Sequence, residues 1–254
     1  KEWAEKDPLE NIFIHYDEND ITTIYALIIG SKNTPYEDGF YYFSLKFPTD
    51  YPSSPPACKF NTINNKIRFN PNLYENGKIC LSILGTWSGP SWKPVMGLKS
   101  ILLDFQSLLH ENPIINEPMY NKLDVNDIKS INYNKILQYQ NYNFSFLEMY
   151  KRKDYYPFFR VYVDKYFKEN YLNIIEKLTE LSKINNDIYI DIYPWKNSSS
   201  KLEYNKLSAI YSTNKARLEA QTPAPAPTPA PAPKKTEEQL PGYRYVPPTG
   251  ILGD

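Results

Sequence analysis

The first sixty residues alternate between short apolar runs and clusters of turn-forming residues. Ile21–Gly30 is apolar and rich in β-branched residues, and after the turn signal at Asn33–Gly39 the segment Phe40–Phe47 alternates apolar and polar side chains. This period of two predicts an antiparallel hairpin with one buried face. Four prolines in Pro48–Pro56 end the second strand, because proline lacks the N–H group that a sheet uses. A further short strand is expected at Cys58–Phe60.

Beyond Gly97 the apolar positions recur every three or four residues. The side chains that share one helical face under this period are Leu98, Ile101, Leu102, Phe105, Leu108 and Leu109. Asn112-Pro113 is expected to stop this helix, whose apolar face would cover the sheet. Strands followed by a covering helix predict an α+β core.

Two longer segments after the core, Ile128–Lys151 and Tyr155–Lys183, also show helical patterning. The side chains predicted to form the buried side of the second are Phe158, Val161, Tyr162, Tyr166, Tyr171, Ile174, Ile175 and Leu178. Ile188–Tyr193 alternates like a strand. We therefore expect a core over residues 1–125 and a C-terminal helical extension, 126–218, packed on it.

The composition changes near Glu219. Pro223–Pro233 reads PAPAPTPAPAP, which predicts an extended polyproline linker. Residues 219–254 are therefore expected to form a Pro/Ala-rich linker and a disordered tail. A linear docking motif around Tyr243, Tyr245 and Val246 is the alternative for the last part of the chain.

Composition also narrows the class of protein. The 254 residues include 29 basic and 29 acidic side chains and are 41% hydrophobic, so a core can form and no net field attracts nucleic acid. With no apolar run of transmembrane length and no secretory leader, we expect no membrane association. Two cysteines and two histidines do not suffice for a disulfide framework or a usual zinc cluster. A reducing intracellular compartment, the cytoplasm or the nucleus, is expected.

Reactive chemistry is expected in Arg68–Gly89, which lies between the predicted sheet and helix and is punctuated by Asn, Pro and Gly. Cys80 in this segment is the candidate nucleophile. A small buried hydrophobic residue is the alternative for a lone cysteine. Neither His110 nor His15 is placed to form a Cys/His pair, which disfavours a papain-type hydrolase. Cys58 is expected to be a core residue of its strand.

Several motifs between Tyr51 and Pro118 occur together. A YPSSPP loop is followed by RFNPNLYENGKICLSILGTW, in which an Asn-Pro-Asn turn ends eight residues before Cys80, and then by ENPIINEP after the helix. This combination resembles the catalytic core of ubiquitin-conjugating enzymes. The resemblance implies that family's fold, a four-stranded antiparallel sheet packed by helices.

The resemblance also implies an activity. A conjugating enzyme of this kind accepts ubiquitin, or a ubiquitin-like modifier, from an activating enzyme as a thioester on Cys80. It then transfers the modifier to a lysine of a protein substrate or to a ligase. No metal or organic cofactor is implied, since ATP is used by the activating enzyme.

The family's catalytic roles fall on three residues. Cys80 matches the thioester-forming cysteine. Asn72 matches the amide that holds the active-site loop or stabilises an oxyanion, and a turn-capping role is its alternative. Glu117 matches an acidic position that orients or deprotonates the incoming lysine, and a solvated surface charge is its alternative.

Four further residues belong to the predicted active-site loop. Pro71 and Tyr74 are expected to shape the turn, and Trp87 matches a tryptophan that follows the cysteine. Asn70 stands where most of the family has a structural histidine. Because an amide also bonds to local backbone, we expect activity to survive this replacement.

Two loops match the family's ligase-docking surface but differ from its common sequence. Ser53 stands where many members have phenylalanine, and Lys93-Pro94-Val95 replaces the common Ser-Pro-Ala. Ser53, Pro94 and Val95 are therefore candidate partner-binding residues, and the differences argue against the family's standard RING and HECT ligase partners.

Three other functions remain open. An inactive variant of the same fold could bind ubiquitin without forming a thioester, although Cys80 argues against it. The chain could also be the catalytic piece of a larger hybrid of conjugating enzyme and ligase. A cysteine hydrolase is the last alternative.

Overall fold

A computed structural model of the protein describes residues 11–64, 67–185, 188–191 and 199–220. Four strands form one antiparallel sheet in the order β1-β2-β3-β4. Their bounds are β1 Ile12–Asp17, β2 Asp20–Ile29, β3 Phe40–Lys46 and β4 Ala57–Phe60. The predicted hairpin is confirmed as β2–β3, in which Leu27 pairs with Tyr42. The strand expected at Cys58–Phe60 is β4.

One face of the sheet packs on helix α1, Leu98–Ser107. Phe43 from β3 stacks on Phe105 with ring centroids 4.5 Å apart. The buried positions of the predicted apolar face are Ile101, Leu102, Phe105, Leu108 and Leu109. The covering helix is thus confirmed, but it ends at Ser107, ahead of the predicted stop at Asn112-Pro113. It ends there because the next two N–H groups bond three residues back, which tightens the turn.

The opposite face of the sheet is also largely buried, which corrects the prediction of a hairpin with one buried face. Leu27 and Tyr42 are 0% and 3% exposed. Tyr42 stacks on Tyr156 with ring centroids 5.1 Å apart, and His15 stacks on Phe158 at 3.9 Å. The covering side chains come from much later in the chain, so the period within the hairpin carries no sign of them.

The helices that follow the core are α2 Ile128–Gln140, α3 Met149–Lys151, α4 Arg160–Asn185 and α5 Tyr204–Ala220. A π-helical segment, Asn141–Glu148, joins α2 to α3, and a 3-10 turn, Pro157–Phe159, precedes α4. Helical structure predicted at Ile128–Lys151 and Tyr155–Lys183 is therefore confirmed, with those two irregularities. Within the described ranges, no helix combines the length and apolar character needed to cross a bilayer.

The buried side of α4 differs from the prediction at Val161, which is 73% exposed. The buried apolar positions are Val163, Phe167, Tyr171, Ile174 and Leu178, of which Val163 and Phe167 were not predicted. Val161 precedes this stripe by two residues and so points about 200° away from it around the helix. The remaining predicted positions are half-buried against the core: Phe158, Tyr162, Tyr166 and Ile175.

The last described part of the chain is a hairpin and a helix. Strands β5, Ile188–Asp191, and β6, Ser199–Leu202, pair antiparallel, which confirms the strand expected from Ile188 over its first four residues. Helix α5 packs on α4, where the hydroxyl of Tyr171 donates to the carbonyl of Tyr211 at 2.7 Å. The predicted linker and tail lie outside the described residues, apart from the end of α5.

Polar contacts join this extension to the β2–β3 turn. Asn141, fully buried in the π-helical segment, accepts a hydrogen bond from the hydroxyl of Tyr41 at 2.5 Å and donates to a backbone carbonyl of the turn at 2.7 Å. Asp38 in the turn is 4% exposed and accepts from Tyr166 at 2.8 Å and from Lys177 at 3.2 Å. The extension therefore packs on the core through polar bonds as well as through the aromatic contacts.

Candidate active site

The turn that follows the sheet brings Asn72 and Cys80 side by side. Leu73 forms a bridge with Ile79, so the chain runs back antiparallel to itself. The reversal requires Gly77, which has φ +87° and whose added Cβ would lie 2.7 Å from a backbone carbonyl oxygen. The turn therefore brings the backbone of Asn72 opposite the backbone of Cys80.

Cys80, the predicted nucleophile, is bonded to Asn72 through both of its backbone polar groups. The N–H of Cys80 donates to the carbonyl of Asn72 at 2.9 Å, and Nδ2 of Asn72 donates to the carbonyl of Cys80 at 2.9 Å. Cys80 is a free cysteine and is 2% exposed. The amide of Asn72 thus contacts the loop that carries the thiol, and its action on an oxyanion stays a prediction.

Asn70 lies at the centre of a buried hydrogen-bond network. Its side chain donates to the carbonyl of Leu108, at the end of α1, at 2.7 Å. Its Oδ1 accepts from the N–H of Asn72 at 2.8 Å and from Nδ2 of Asn116 at 3.2 Å. Asn70 is 0% exposed, and Pro71 beside it is also buried. The amide therefore bonds to local backbone, as expected for this replacement.

A residue to which the sequence assigned no role, Thr86, holds the backbone on both sides of Cys80. Its Oγ1 accepts from the N–H of Leu81 at 2.9 Å and donates to the carbonyl of Ile79 at 2.7 Å. Gly85, at φ +68°, turns the chain back so that Thr86 reaches these groups. The available signal was a Gly-Thr pair after an apolar run, since threonine in turns often bonds to nearby backbone.

Glu117 lies between two 3-10 turns, Pro113–Asn116 and Pro118–Tyr120. Its N–H donates to the carbonyl of Ile114 at 3.0 Å, and the residue is half-buried. Burial and, to a smaller extent, the Glu117 carboxylate raise the pKa of the Tyr133 hydroxyl. The residue just before Glu117 is Asn116, so the segment with the predicted acid is bonded to the Asn70 network.

The other two residues of the predicted loop differ in their surroundings. Tyr74 is half-buried, and the guanidinium carbon of Arg68 lies 4.1 Å from its ring centroid, a cation–π contact. Trp87 lies on the exposed stretch after the cysteine and is 44% exposed. Tyr74 is therefore in contact with Arg68 at the start of the segment, whereas Trp87 exposes part of its ring to solvent, and the role of Tyr74 in shaping the turn stays a prediction.

The two predicted docking loops lie against each other. Nε1 of Trp92 donates to the carbonyl of Pro52 at 2.8 Å. This bond joins the loop that holds Ser53 to the loop that holds Pro94 and Val95. All three residues are exposed, and Val95 is 90% exposed. The structure therefore brings the three candidate partner-binding residues to one exposed region.

The second cysteine has a different environment. Cys58 is half-buried in β4 opposite Leu45, packs against the core and is free. Burial raises the pKa of its thiol to about 12, so the reactive thiolate is scarce at neutral pH. Among the residues that the structure describes, no three His, Cys, Asp or Glu side chains group as metal ligands do.

The fold and the cysteine turn define a class of protein that sequence comparison identifies. Residues 1–140 match the family described as "Ubiquitin-conjugating enzyme", and the chain belongs to this family. Over 168 residues it is 44% identical to "Ubiquitin-conjugating enzyme E2 Z" of Xenopus tropicalis. The matched region covers 65% of this chain and 53% of the relative.

Two further relatives extend the comparison. The human "Ubiquitin-conjugating enzyme E2 Z" is 44% identical over 149 residues, covering 58% of this chain and 42% of the relative. "Probable ubiquitin-conjugating enzyme protein 17" of Caenorhabditis elegans is 41% identical over 150 residues, covering 56% of this chain and 21% of the relative. The chain therefore spans about half, or less, of the length of the curated relatives it matches.

Proposed function

We propose that this chain is a ubiquitin-conjugating transferase that carries ubiquitin, or a ubiquitin-like modifier, as a thioester on Cys80. The observation that carries the proposal is the free Cys80 held by Asn72 at both backbone groups, in a chain of the ubiquitin-conjugating enzyme family. Cys58 is the weaker candidate because burial raises the pKa of its thiol to about 12.

The reaction takes place in two acyl transfers. The Cys80 thiolate attacks the thioester carbonyl on the activating enzyme, a new C–S bond forms, and the activating enzyme's thiolate leaves. A lysine amine, or a ligase cysteine, later attacks the carbonyl on Cys80 and expels the Cys80 thiolate. When the nucleophile is the lysine amine, the proton that the amine loses goes to Glu117 or to water.

The neighbouring residues supply position and charge stabilisation. Asn72 holds the loop. An amide that donates a hydrogen bond to a developing oxyanion typically raises the reaction rate by a factor of about 10²–10³. Glu117 orients or deprotonates the lysine. Exposure at Ser53, Pro94 and Val95 supports contact with a ligase there.

The partners follow from this chemistry. They are the modifier, an activating enzyme, and a ligase or a protein substrate, with no role for nucleic acid or membrane. ATP is consumed by the activating enzyme, and this chain needs no metal or organic cofactor. Two free cysteines support an intracellular, reducing location in the cytoplasm or nucleus.

The test is thioester formation. The protein is incubated with ATP, ubiquitin and each of the two ubiquitin-activating enzymes in turn, and the products are separated on a non-reducing gel. We expect a thiol-sensitive adduct that Cys80→Ala abolishes and that the matched variant Cys58→Ala retains. An adduct that depends on Cys58 would contradict the assignment.

Failure to form any adduct, with each activating enzyme and with ubiquitin-like modifiers as well, would also overturn the proposal. Binding of free ubiquitin in that case would favour the non-catalytic variant of the fold. Release of single ubiquitins from a ubiquitin chain would instead favour the hydrolase.

A further inference from the structure

A line of amide hydrogen bonds joins the backbone at Cys80 to the segment that carries Glu117. The side chain of Asn72 bonds to Cys80, the N–H of Asn72 bonds to Asn70, and the side chain of Asn116 bonds to the same oxygen of Asn70. Residues far apart in sequence thus meet at one buried atom, Oδ1 of Asn70.

The acceptor at that atom is fully used. A carbonyl-type oxygen has two lone pairs, and Oδ1 of Asn70 receives one N–H from Asn72 at 2.8 Å and one from Asn116 at 3.2 Å. Because Asn70 is 0% exposed, water does not take the place of a lost donor without rearrangement. Loss of Asn116 as a donor therefore leaves a buried acceptor partly unsatisfied.

The orientation of the Asn116 amide is fixed by a histidine. Nδ1 of His110 accepts the N–H of Asn112 at 3.2 Å, so in the neutral ring the proton lies on Nε2. Nε2 faces Oδ1 of Asn116 at 3.3 Å. With its oxygen accepting from His110, the amide of Asn116 turns its NH₂ group toward Asn70.

The backbone transmits this position to Glu117. Glu117 follows Asn116 directly, its N–H bonds to Ile114 at 3.0 Å and its carbonyl accepts from Tyr120 at 2.8 Å. Pro118 restricts the backbone of Glu117 to an extended conformation, which is observed at φ −82° and ψ 122°. A shift of Asn116 therefore displaces Glu117.

We propose that Asn116 is a positioning residue, which holds Glu117 at a fixed place relative to Cys80 through their shared contact with Asn70. The consequence is selective: Asn116 assists attack by a lysine amine, which has to lose a proton, more than attack by a nucleophile that is already neutral. This inference rests on the proposed function.

The test measures discharge of the preformed thioester in a single turnover, with free lysine and with hydroxylamine as nucleophiles. Hydroxylamine is uncharged at neutral pH, so it needs no prior deprotonation. Asn116→Ala removes the donor, and Asn116→Asp replaces it with an acceptor of the same shape. Asn121→Asp is the matched control, since it makes the same change at an exposed amide nearby.

We expect both Asn116 variants to slow discharge to lysine by about tenfold, a part of what a well-placed base contributes, with a much smaller effect on hydroxylamine. Glu117→Gln should show the same selectivity. The double variant Asn116→Ala with Glu117→Gln should be no slower than Glu117→Gln alone, because Asn116 acts through Glu117.

Other outcomes overturn the inference. Equal slowing with both nucleophiles, in either Asn116 variant, would indicate a general structural role, and a lowered melting temperature with an unchanged lysine-to-hydroxylamine ratio would indicate the same. Additive effects in the double variant would show that Asn116 acts independently of Glu117. Absence of a thioester in the unmodified chain would instead overturn the proposed function.

Discussion

The backbone on both sides of Cys80 is fixed by polar side chains from two directions along the chain. Asn72 bonds to Cys80 itself, and Thr86 bonds to its two neighbours, Ile79 and Leu81. Each such bond contributes about 1 kcal/mol net. Together these bonds hold the backbone that carries the Cys80 thiol at a set position.

Thr86→Val tests this arrangement at a single residue, because valine keeps the shape and removes the hydroxyl. We expect Cys80 to react about thirty times faster with iodoacetamide, since the loss of two hydrogen bonds, about 2 kcal/mol in the closed loop, raises its open fraction by about that factor. The measurement is the alkylation rate in a Cys58→Ala background, where Cys80 is the one remaining thiol.

The conservative variant provides the comparison. Thr86→Ser keeps the hydroxyl and should react at the original rate. If Thr86→Val also reacts at the original rate, the two hydrogen bonds do not hold the loop.

The sequence indicated some of these residues and not others, for a physical reason. Cys80 and Asn72 belong to one motif with a fixed spacing, so both could be predicted. Asn116 bonds to Asn70, which lies 46 positions away in sequence, and Thr86 bonds to backbone groups that any residue type provides. Neither contact leaves a pattern of residue types along the chain.

At the scale of elements, the sheet is enclosed on both faces. Helix α1 covers one face, and Tyr156 with the 3-10 turn that follows it covers much of the other with aromatic side chains. Phe159 in that turn is 0% exposed and lies 6.1 Å from Tyr42 by ring centroids. The extension is therefore expected to stabilise the core sheet as well as itself.

Phe159→Ala tests the stabilising role of this cover. Truncation of a fully buried phenylalanine removes its apolar contacts and leaves a cavity, so we expect the free energy of unfolding to fall by about 3 kcal/mol. Val161→Ala is the matched control, because Val161 is 73% exposed two residues away. It should change stability by less than about 0.5 kcal/mol.

Urea denaturation of both variants measures the difference. Little change in Phe159→Ala would show that the turn before α4 adds no stability. A fall of similar size in Val161→Ala would show that the loss does not depend on the burial of Phe159.

The period of Leu98, Ile101 and Phe105 predicts α1 because that contact follows one helical face. The cover of Tyr42 depends on a distant segment, which explains why only one buried face was predicted.

At the scale of the whole molecule, tyrosine hydroxyls form several of the hydrogen bonds that join its parts. The hydroxyl of Tyr211 in α5 donates to the carbonyl of Tyr142 at 2.7 Å, and that of Tyr133 in α2 donates to the carbonyl of Arg68 at 2.9 Å. Tyr36 in the β2–β3 turn donates to the carbonyl of Phe69. These bonds link the extension, the sheet and the turn that leads to the active site through protonated phenols.

Because these hydrogen bonds need protonated tyrosine hydroxyls, we expect the folded protein to lose stability at alkaline pH. Burial, the largest cause, raises the pKa of Tyr36, Tyr41, Tyr133 and Tyr211 well above the ordinary value near 10. A group whose pKa is higher in the folded state contributes stability that is complete below its unfolded pKa. Above about pH 10 the unfolded chain releases protons that the folded chain keeps, so the free energy of unfolding falls as the pH rises.

We therefore expect the buried tyrosines to ionise only as the protein unfolds. Tyrosinate absorbance and far-ultraviolet circular dichroism, recorded together through an alkaline titration, should show an early phase from tyrosines that are accessible to solvent. A later cooperative phase should coincide with loss of helical signal. Complete tyrosine ionisation with the helical signal intact would contradict the prediction, because it would show that these phenols reach solvent in the folded protein.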